Sequence, residues 1–317
     1  MENKSLLIIV INYCRYEDTI RCLESLSRVK YKNFTVFVID NASKNNSIEK
    51  LSSWIINNNE KGMEAGEIFN KSSKIKKFIF MEHKYKLIET TENFGFGGGV
   101  NIGIDYAICN NYDYILLLNN DTFVEENFLD PLIELAESSN DIGIVGGKAI
   151  CVNNNNIINT GGKINWIRGY GNKLLAKNKL NVRCEVDFVS GCHMLIKKVV
   201  LKTIGNFSEH YFLYYEDVDY CLRARGAGWK VFYQPDSVIW HSESISIGKD
   251  SALRYFYLTR SRIIFNKAHN KLFPIFFIYL SALHVFKIII WILSGKVNHV
   301  KAAILAELNF FKDVDKF

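Results

Sequence analysis

Tyr114-Ile115-Leu116-Leu117-Leu118-Asn119-Asn120-Asp121-Thr122 decides how this chain is read. Five mostly apolar residues in a row match a strand buried on both faces, as in sheets covered by helices on each side. The run then switches abruptly to amides and one carboxylate. In open α/β sheets ligands bind just beyond the carboxyl ends of the strands, so Asn119-Asn120-Asp121 falls where chemistry is expected. A lone Asp there suits a divalent cation, because Mg²⁺ keeps one or two protein carboxylates and takes its other ligands from water and substrate phosphates. The same residues also suit an ordinary Asn/Asp turn leaving a core strand.

Strand and helix patterns alternate on both sides of this run. Leu6–Ile11 reads as a buried strand, 17–28 as a helix with acidic residues in its first turn, and Phe34–Ile39 as a second strand ending at Asp40-Asn41-Ala42-Ser43. A helix over Ile48–Ile56 follows, then an Asn-, Lys- and Ser-rich surface excursion over 57–77 and strands at Phe78–Met81 and Lys86–Thr90. A glycine loop (Gly95–Gly99) leads into a helix ending near Cys109. Beyond Asp121 the pattern gives a helix over Asn127–Ser138 and a strand at Ile142–Val145, then a glycine-containing excursion with a hairpin over 146–190. Val186–Val189, helices near Lys197–Ile204 and Glu216–Ala227, and the strand Lys230–Tyr233 complete this part. The β-α-β-α order implies a mostly parallel, doubly wound sheet.

With 317 residues, 48% hydrophobic and 23% charged, the chain is globular and long enough for a substantial core. Seven scattered cysteines form no CxxC pair, which points to reduced thiols in a cytosolic protein rather than a disulfide framework or a zinc site. The run Leu6–Ile11 is too short for a secretory h-region. The net charge of +6 resides in the tail: residues 246–317 hold 11 Lys/Arg against 4 Asp/Glu, and the first 245 hold 28 against 29. That tail carries a basic aromatic helix over 251–270 and an almost continuous apolar run, Phe273–Leu293, about long enough to cross a bilayer. Ser281, His284 and Lys287 recur every third residue, however, so the segment reads best as a helix lying in the membrane interface. A buried hairpin, a contact between two copies in a homodimer, and a true span are the alternatives.

Chemistry-bearing residues gather at the expected strand ends. Asn12-Tyr13 follows the first strand, and Asp40 ends the second, where a carboxylate can accept from a base or ribose. Asn93-Phe94-Gly95-Phe96-Gly97-Gly98-Gly99-Val100-Asn101 precedes a helix; glycines let backbone approach a ligand closely and a helix N-terminus attracts phosphate, although the spacing is neither the Walker type nor the dinucleotide fingerprint. In the second half, Glu216-Asp217-Val218-Asp219 follows an aromatic run, where partial desolvation raises a carboxylate toward the range of a general base. Acids are also simply favoured at a helix N-terminus, and that accounts for Asp219. Trp240-His241 follows a strand and is either a functional or a structural histidine.

Together, Ile9–Tyr13, Asp40–Ser43, Asn93–Asn101, Leu118–Thr122, Ser190-Gly191, Tyr215–Asp219 with Arg223, and Trp240-His241 resemble the family 2 glycosyltransferases of GT-A fold, in particular the bacterial rhamnosyltransferase-like branch. The segments occur in the family's order over about residues 5–245. The resemblance implies an α/β GT-A fold with a C-terminal helical extension: a nucleotide-sugar-binding half (1–122), an acceptor half (123–245) and the extension (246–317). It implies donor binding by Asn12, Tyr13, Asp40, Asn93, Gly98, Asn101 and Asn120, a Mg²⁺ or Mn²⁺ held by Asp121 with His241, and catalysis by Asp217 beside Glu216.

The activity so implied is an inverting transfer from a dTDP-rhamnose or UDP-hexose type of donor, with Asp217 as base. The expected partners are a nucleotide-sugar donor, a glycan or lipid-linked acceptor and the inner face of the cell membrane, with no nucleic acid. One departure stands out. The family's metal motif often holds two or three carboxylates, and here Asn119 and Asn120 replace the others. That leaves open a nucleotide-sugar-binding subunit without catalysis. A nucleotidyltransferase would require a basic glycine-rich loop near the N-terminus, and Asn12–Tyr16 offers none.

Overall fold

A computed structural model describes residues 4–58, 74–79, 84–172, 176–242 and 251–312. The elements in chain order are β1 (Leu6–Asn12), α1 (Tyr16–Ser27), β2 (Phe34–Asp40), α2 (Ser47–Asn58), β3 (Ile75–Ile79), β4 (Tyr85–Thr90), α3 (Gly95–Cys109) and β5 (Tyr114–Asn119). Then come β6 (Thr122–Val124), α4 (Asp130–Glu137), β7 (Ile142–Cys151), β8 (Ile157–Asn159), β9 (Lys163–Asn165), β10 (Tyr170–Asn172) and β11 (Cys184–Glu185). Last are β12 (His193–Lys197), α5 (Lys198–Ile204), α6 (Glu216–Gly226), β13 (Lys230–His241), α7 (Ala252–His269), α8 (Phe273–Leu293) and α9 (Val297–Lys312). Most of the excursion expected over 57–77, and residues 80 and 81 of the strand expected at Phe78–Met81, lie outside the described residues.

The main sheet runs β11-β13-β7-β12-β5-β1-β2-β4-β3, with β6 on β13 and β8 on β7. Its centre, β5-β1-β2-β4, is parallel throughout. Beyond β5 the sheet is mixed: β12 lies antiparallel between β5 and β7, and β13 runs parallel to β7. The sheet is therefore less uniformly parallel than the β-α-β-α pattern suggests. The strand β12 is absent from the sequence reading, which places regular structure at Val186–Val189 instead; that segment forms no strand and contributes an isolated bridge from Phe188 to Gly162.

The apolar runs are explained by burial on both faces. Along β1, Leu6, Ile8 and Val10 face one core with Cys22, Leu23 and Leu26 of α1 and Leu51 and Ile55 of α2. Leu7 and Ile9 face the other, with Val100, Ile102 and Ile104 of α3 and Val218, Tyr220 and Ala224 of α6. β5 alternates the same way, Leu116 and Leu118 against Ile115 and Leu117. Side-chain period 2 between two helical layers gives a run with no polar alternation.

The glycine segment departs from expectation. Gly95 already begins α3, so the glycines form its first turn rather than a loop before it. Gly95 has φ +71°, and a Cβ there would sit 2.1 Å from the Phe212 carbonyl oxygen. About two turns later a Cβ on Gly103 would meet Ile9 Cδ1 at 2.6 Å, so small residues let α3 lie directly on β1.

Three helices form the C-terminal extension, with α9 packing mainly on α7. α8 turns inward only Phe276, Leu280 and His284 as fully buried residues. The polar stripe read from the sequence thus faces α7 and α9 in part, and the outward face of α8 is apolar: Ile278, Val285, Phe286, Ile289, Ile292 and Leu293 are exposed. By length and composition α8 is the one helix among the described residues able to cross a membrane.

Candidate active site

Register places the acid and the histidine of the candidate metal site together. β6 pairs antiparallel with the end of β13, Thr122 opposite His241, which brings the side chain of Asp121 in the β5–β6 turn against the imidazole. His241 Nε2 stands 2.8 Å from Asp121 Oδ1 and 3.3 Å from Asn119 Nδ2. Ser242 further fixes the turn, its N–H donating to the Asp121 carbonyl at 2.9 Å and its hydroxyl at 3.0 Å. The 2.8 Å separation matches two adjacent ligands of one divalent ion, which stand about 3 Å apart when each bond is about 2.1 Å. Among the described residues no third His, Cys, Asp or Glu joins them, so the pair fits a Mg²⁺ or Mn²⁺ that draws its remaining ligands from phosphate and water.

A chain of side-chain hydrogen bonds ties this turn to the first two strands. Asn120 Nδ2 donates to Thr19 Oγ1 at 2.9 Å, and Thr19 Oγ1 donates to Asn12 Oδ1 at 2.8 Å. Asn12 Nδ2 donates to Asp40 Oδ2 at 2.6 Å, and Ser43 donates to Asp40 from its hydroxyl at 2.7 Å and from its N–H at 2.9 Å. Asn12 and Asp40 are both 0% exposed. Burial pushes the Asp40 carboxyl above its usual range, against the opposing pull of its hydrogen bonds from Ser43 and Asn12. These two residues, expected at the donor, thus face the interior; a base reaching Asp40 has to exchange for one of its present partners. Tyr13, next along the chain, is 40% exposed and offers a ring for stacking.

Asn93 and Asn101 are likewise turned to protein partners. Asn93 Oδ1 accepts from Asn41 Nδ2 and from the Gly95 N–H, each at 2.9 Å, which links the end of β2 to the start of α3. Asn101 accepts from the Phe207 N–H at 2.8 Å and donates to the Phe207 carbonyl at 3.0 Å, stapling the segment before α6 onto α3. Gly98 is buried, with a would-be Cβ 2.7 Å from Phe94 Cβ. The Phe96 N–H donates to the Phe212 carbonyl at 3.1 Å, so the first turn of α3 already has partners where a phosphate was expected.

The second acidic constellation starts α6. Tyr214 and Tyr215 both hold left-handed backbone, φ 69° and 70°, immediately before Glu216. Two consecutive non-glycine residues in that region are strained, and such strain persists where surrounding structure enforces it. The result is a sharp entry into the helix that presents Asp217. Asp217 Oδ2 accepts from the Gly191 N–H at 3.0 Å and Oδ1 from the Val218 N–H at 2.8 Å, and the side chain stays partly exposed. Glu216 is buried, its Cβ 3.7 Å from where a Gly97 Cβ would lie, so it faces α3 rather than the solvent side.

The two constellations meet through a short segment. Next to Gly191, which holds Asp217, the carbonyl of Cys192 accepts the Asn119 N–H at 3.3 Å. A carboxylate poised at a helix N-terminus and an Asp–His pair at a strand end therefore share one backbone support.

A family model described as "Glycosyltransferase like family 2" matches residues 79–254, more than half of the chain. The chain belongs to that family. The match takes in α3, the Asp121–His241 pair and the whole of α6. Among curated relatives, this glycosyltransferase is 25% identical over 219 residues to the low-salt glycan biosynthesis hexosyltransferase Agl10 of Haloferax volcanii, covering 67% of each chain. It is also 25% identical over 206 residues to the rhamnosyltransferase WbbL of Escherichia coli, covering 58% of this chain and 77% of that one. With the N-acetylglucosaminyl-diphospho-decaprenol L-rhamnosyltransferase of Mycobacterium tuberculosis it shares 37% identity over 67 residues, 21% of this chain and 22% of the relative.

Solved structures agree on the fold. GalNAc-T7 with UDP, GalNAc and Mn²⁺ superposes with a TM-score of 0.63 at 14% identity, over 86% of this chain but only half of that one. The mannosyltransferase PcManGT of Pyrobaculum calidifontis, in complex with GDP-Man and Mn²⁺, gives 0.57 at 13% identity over 97% of this chain and 87% of its own. The fold is GT-A, with helices added at the C-terminus.

Two residues of this glycosyltransferase site escape a sequence reading. Thr19 and Cys192 join the strand ends, yet each sits in a helix or turn where Thr and Cys are ordinary. Only the spatial meeting of β1, β2 and β5 makes them visible.

Proposed function

We propose that the chain is an inverting glycosyltransferase that moves a sugar from a dTDP-rhamnose or UDP-hexose type of donor to a hydroxyl of a glycan or lipid-linked acceptor, in bacterial surface polysaccharide synthesis. The observation that carries this reading is the Gly191-Cys192 support, which joins the candidate base Asp217 to the strand end bearing Asp121. The names of the rhamnosyl and hexosyl relatives support the donor class.

In the proposed reaction the acceptor oxygen attacks the anomeric carbon while Asp217 takes its proton, and the bond to the nucleotide diphosphate breaks on the opposite face. The Gly191 and Val218 N–H groups hold the Asp217 carboxylate in place while leaving it partly open. Tyr13 would stack on the pyrimidine of the nucleotide, and Asn120 keeps the turn of Asp121 fixed to α1. Asp121 and His241 would hold the divalent cation, which supplies charge neutralisation on the departing diphosphate. The basic tail and the exposed apolar face of α8 support a location at the inner membrane surface, where a lipid-linked acceptor is presented.

The test is nucleotide diphosphate release from a panel of dTDP- and UDP-sugars with Mn²⁺ or Mg²⁺ present. Asp217→Asn is expected to abolish turnover while nucleotide affinity stays nearly intact. Turnover at the wild-type rate in that variant rejects the assignment of the base. Donor binding without turnover in the wild type points instead to a nucleotide-sugar-binding subunit.

A further inference from the structure

One face of α7 is fitted to the chain that leads into the candidate base. Tyr257, Ser261, Phe265 and His269 recur at every fourth position, which aligns them along that helix. Each meets the segment before α6 or α6 itself, in sequence order. The Tyr257 ring stacks on Phe212 with centres 4.9 Å apart, and the Ser261 hydroxyl donates to the Leu213 carbonyl at 2.8 Å. The Phe265 ring lies 5.2 Å from that of Tyr215, and His269 Nε2 stands 2.7 Å from Asp219 Oδ1. Beside this row, Arg260 Nη1 donates to the His210 carbonyl at 2.9 Å.

The row brackets the strained pair at the start of α6. Tyr214 and Tyr215 hold φ of 69° and 70°, a region that non-glycine residues adopt at a cost and keep where neighbours enforce it. Ser261, fully buried, grips the carbonyl immediately before the pair. After it, the Tyr215 hydroxyl donates to the Gly169 carbonyl at 3.2 Å, and Asn266 Nδ2 of α7 donates to the same oxygen at 2.8 Å. Leu213 and Tyr214 also pack on Phe256 and Tyr257 of α7 and on Ala302 and Ala306 of α9. The Val218 N–H that holds Asp217 Oδ1 moves with α6, so the place where that helix begins is set by this entry turn. Apolar burial alone would dock α7 without a buried hydroxyl aimed at the carbonyl that precedes a strained pair.

We propose that this face of α7 holds the left-handed entry to α6, and that Ser261 is a positioning residue for the sugar-transfer step, acting through Leu213, Tyr214 and Tyr215 on Asp217. The inference rests on the reading of Asp217 as the base. It gives the C-terminal extension a part in the chemical step, separate from any part in location.

Release of nucleotide diphosphate by the full chain, with a donor and metal that support turnover, tests it. Ser261→Ala is expected to lower kcat about tenfold while donor KM changes less than about twofold, because a base out of place slows the chemical step and the donor contacts lie elsewhere. Glycine takes left-handed backbone without penalty, so in a Tyr214→Gly background the same change should cost about threefold or less. Thr259→Val removes another buried hydroxyl of α7, one bonded to Tyr255, and should leave kcat at the wild-type level. Thermal melting sets the assay temperature below every transition. Where Ser261→Ala melts too early to assay, Tyr215→Phe is read in its place; it loses only the hydroxyl reaching Gly169 and should lower kcat about threefold at unchanged KM. An unchanged kcat in the variant read, an undiminished loss in the Tyr214→Gly background, or an equal loss in Thr259→Val overturns the proposal. Wild-type turnover in Asp217→Asn removes the base and this inference with it, whereas a dead Asp217→Asn beside an unaffected Ser261→Ala removes the role of α7 alone.

Discussion

Gly191 donates its backbone N–H to Asp217 Oδ2 at 3.0 Å, and with the Val218 N–H on Oδ1 this contact aims the candidate base. The approach is close on the other side as well. A Cβ on Gly191 would lie 3.0 Å from Phe96 Cε1 and 3.6 Å from Asp217 Cβ. Gly191→Ala therefore forces the Phe96 ring or the Asp217 helix to shift by a few tenths of an ångström. We expect kcat to fall about 10-fold or more while donor KM changes little, since small misplacement of a reacting group is costly and donor contacts lie elsewhere. Adding Phe96→Leu should restore part of the rate by making room. If Gly191→Ala turns over like the wild type, Gly191 does not position the base.

Metal dependence follows from the sparse ligand set. Among the described residues Asp121 and His241 form the acid–imidazole pair at the turn, so each would carry a large share of the protein's hold on a divalent ion. His241→Gln is expected to raise the Mn²⁺ concentration for half-maximal turnover by about 10–100-fold, with partial rescue at saturating metal. Asp121→Asn should lose turnover at any metal concentration, and chelation should silence the wild type reversibly. Titration of Mn²⁺ against nucleotide diphosphate release reads all three. Full activity in chelator would show that the pair serves packing alone.

What the sequence displays depends on how local the physics is. β1, β2 and β5 are legible because burial on both faces leaves near-continuous apolar runs, and their polar tips mark the strand ends. β12 is not, because His193–Lys197 is short, mixed in character and defined by its partners β5 and β7, which lie far off in the chain. Asp121 and His241 are legible as residues, but their contact is set by the β6–β13 register. Asn12 and Asp40 stand at strand ends and Asn101 in the second turn of α3, and all three are buried against protein partners that the sequence does not display. Asp219, readable as a mere helix-end acid, ties α6 to the C-terminal helices.

His193 predicts an acid weakness unrelated to catalysis. It is 2% exposed, with Nε2 3.2 Å from Ser237 Oγ and Nδ1 buried without a partner. Burial lowers its pKa to about 3 from 6.5, so it stays neutral in the fold and becomes charged on unfolding below about pH 6.5. In that range the unfolded state binds more protons, so the contribution is intact above pH 6.5 and is lost as pH falls from there toward 3, at up to roughly 1.4 kcal/mol per pH unit. His193→Gln should flatten the fall in melting temperature between pH 6.5 and 4.5, whatever its cost at neutral pH. An unchanged slope contradicts the assignment of that limb to His193.

Asp219 and His269 link the C-terminal extension to α6. His269 Nε2 of α7 stands 2.7 Å from Asp219 Oδ1, Arg223 Nε donates to Oδ2 at 2.8 Å, and the Tyr211 hydroxyl donates to Oδ1 at 3.3 Å. Burial alone would raise this carboxyl, but the hydrogen bonds from His269 and Arg223 outweigh it and hold the pKa below 3.8. A depressed carboxyl contributes stability that is complete above its unfolded value and is lost as pH falls through its folded one, so the Asp219 contribution to the clasp is lost below about pH 4. Asp219→Asn removes the charge but keeps the shape, and should cost about 2 kcal/mol at pH 7 in denaturant titration, with a smaller deficit at pH 3. Because Asp219 lies two residues from Asp217, kcat should fall in the same variant while donor affinity holds. A variant as stable as wild type at pH 7, with an unchanged kcat, would mean that α7 is held to the catalytic domain by its apolar contacts alone.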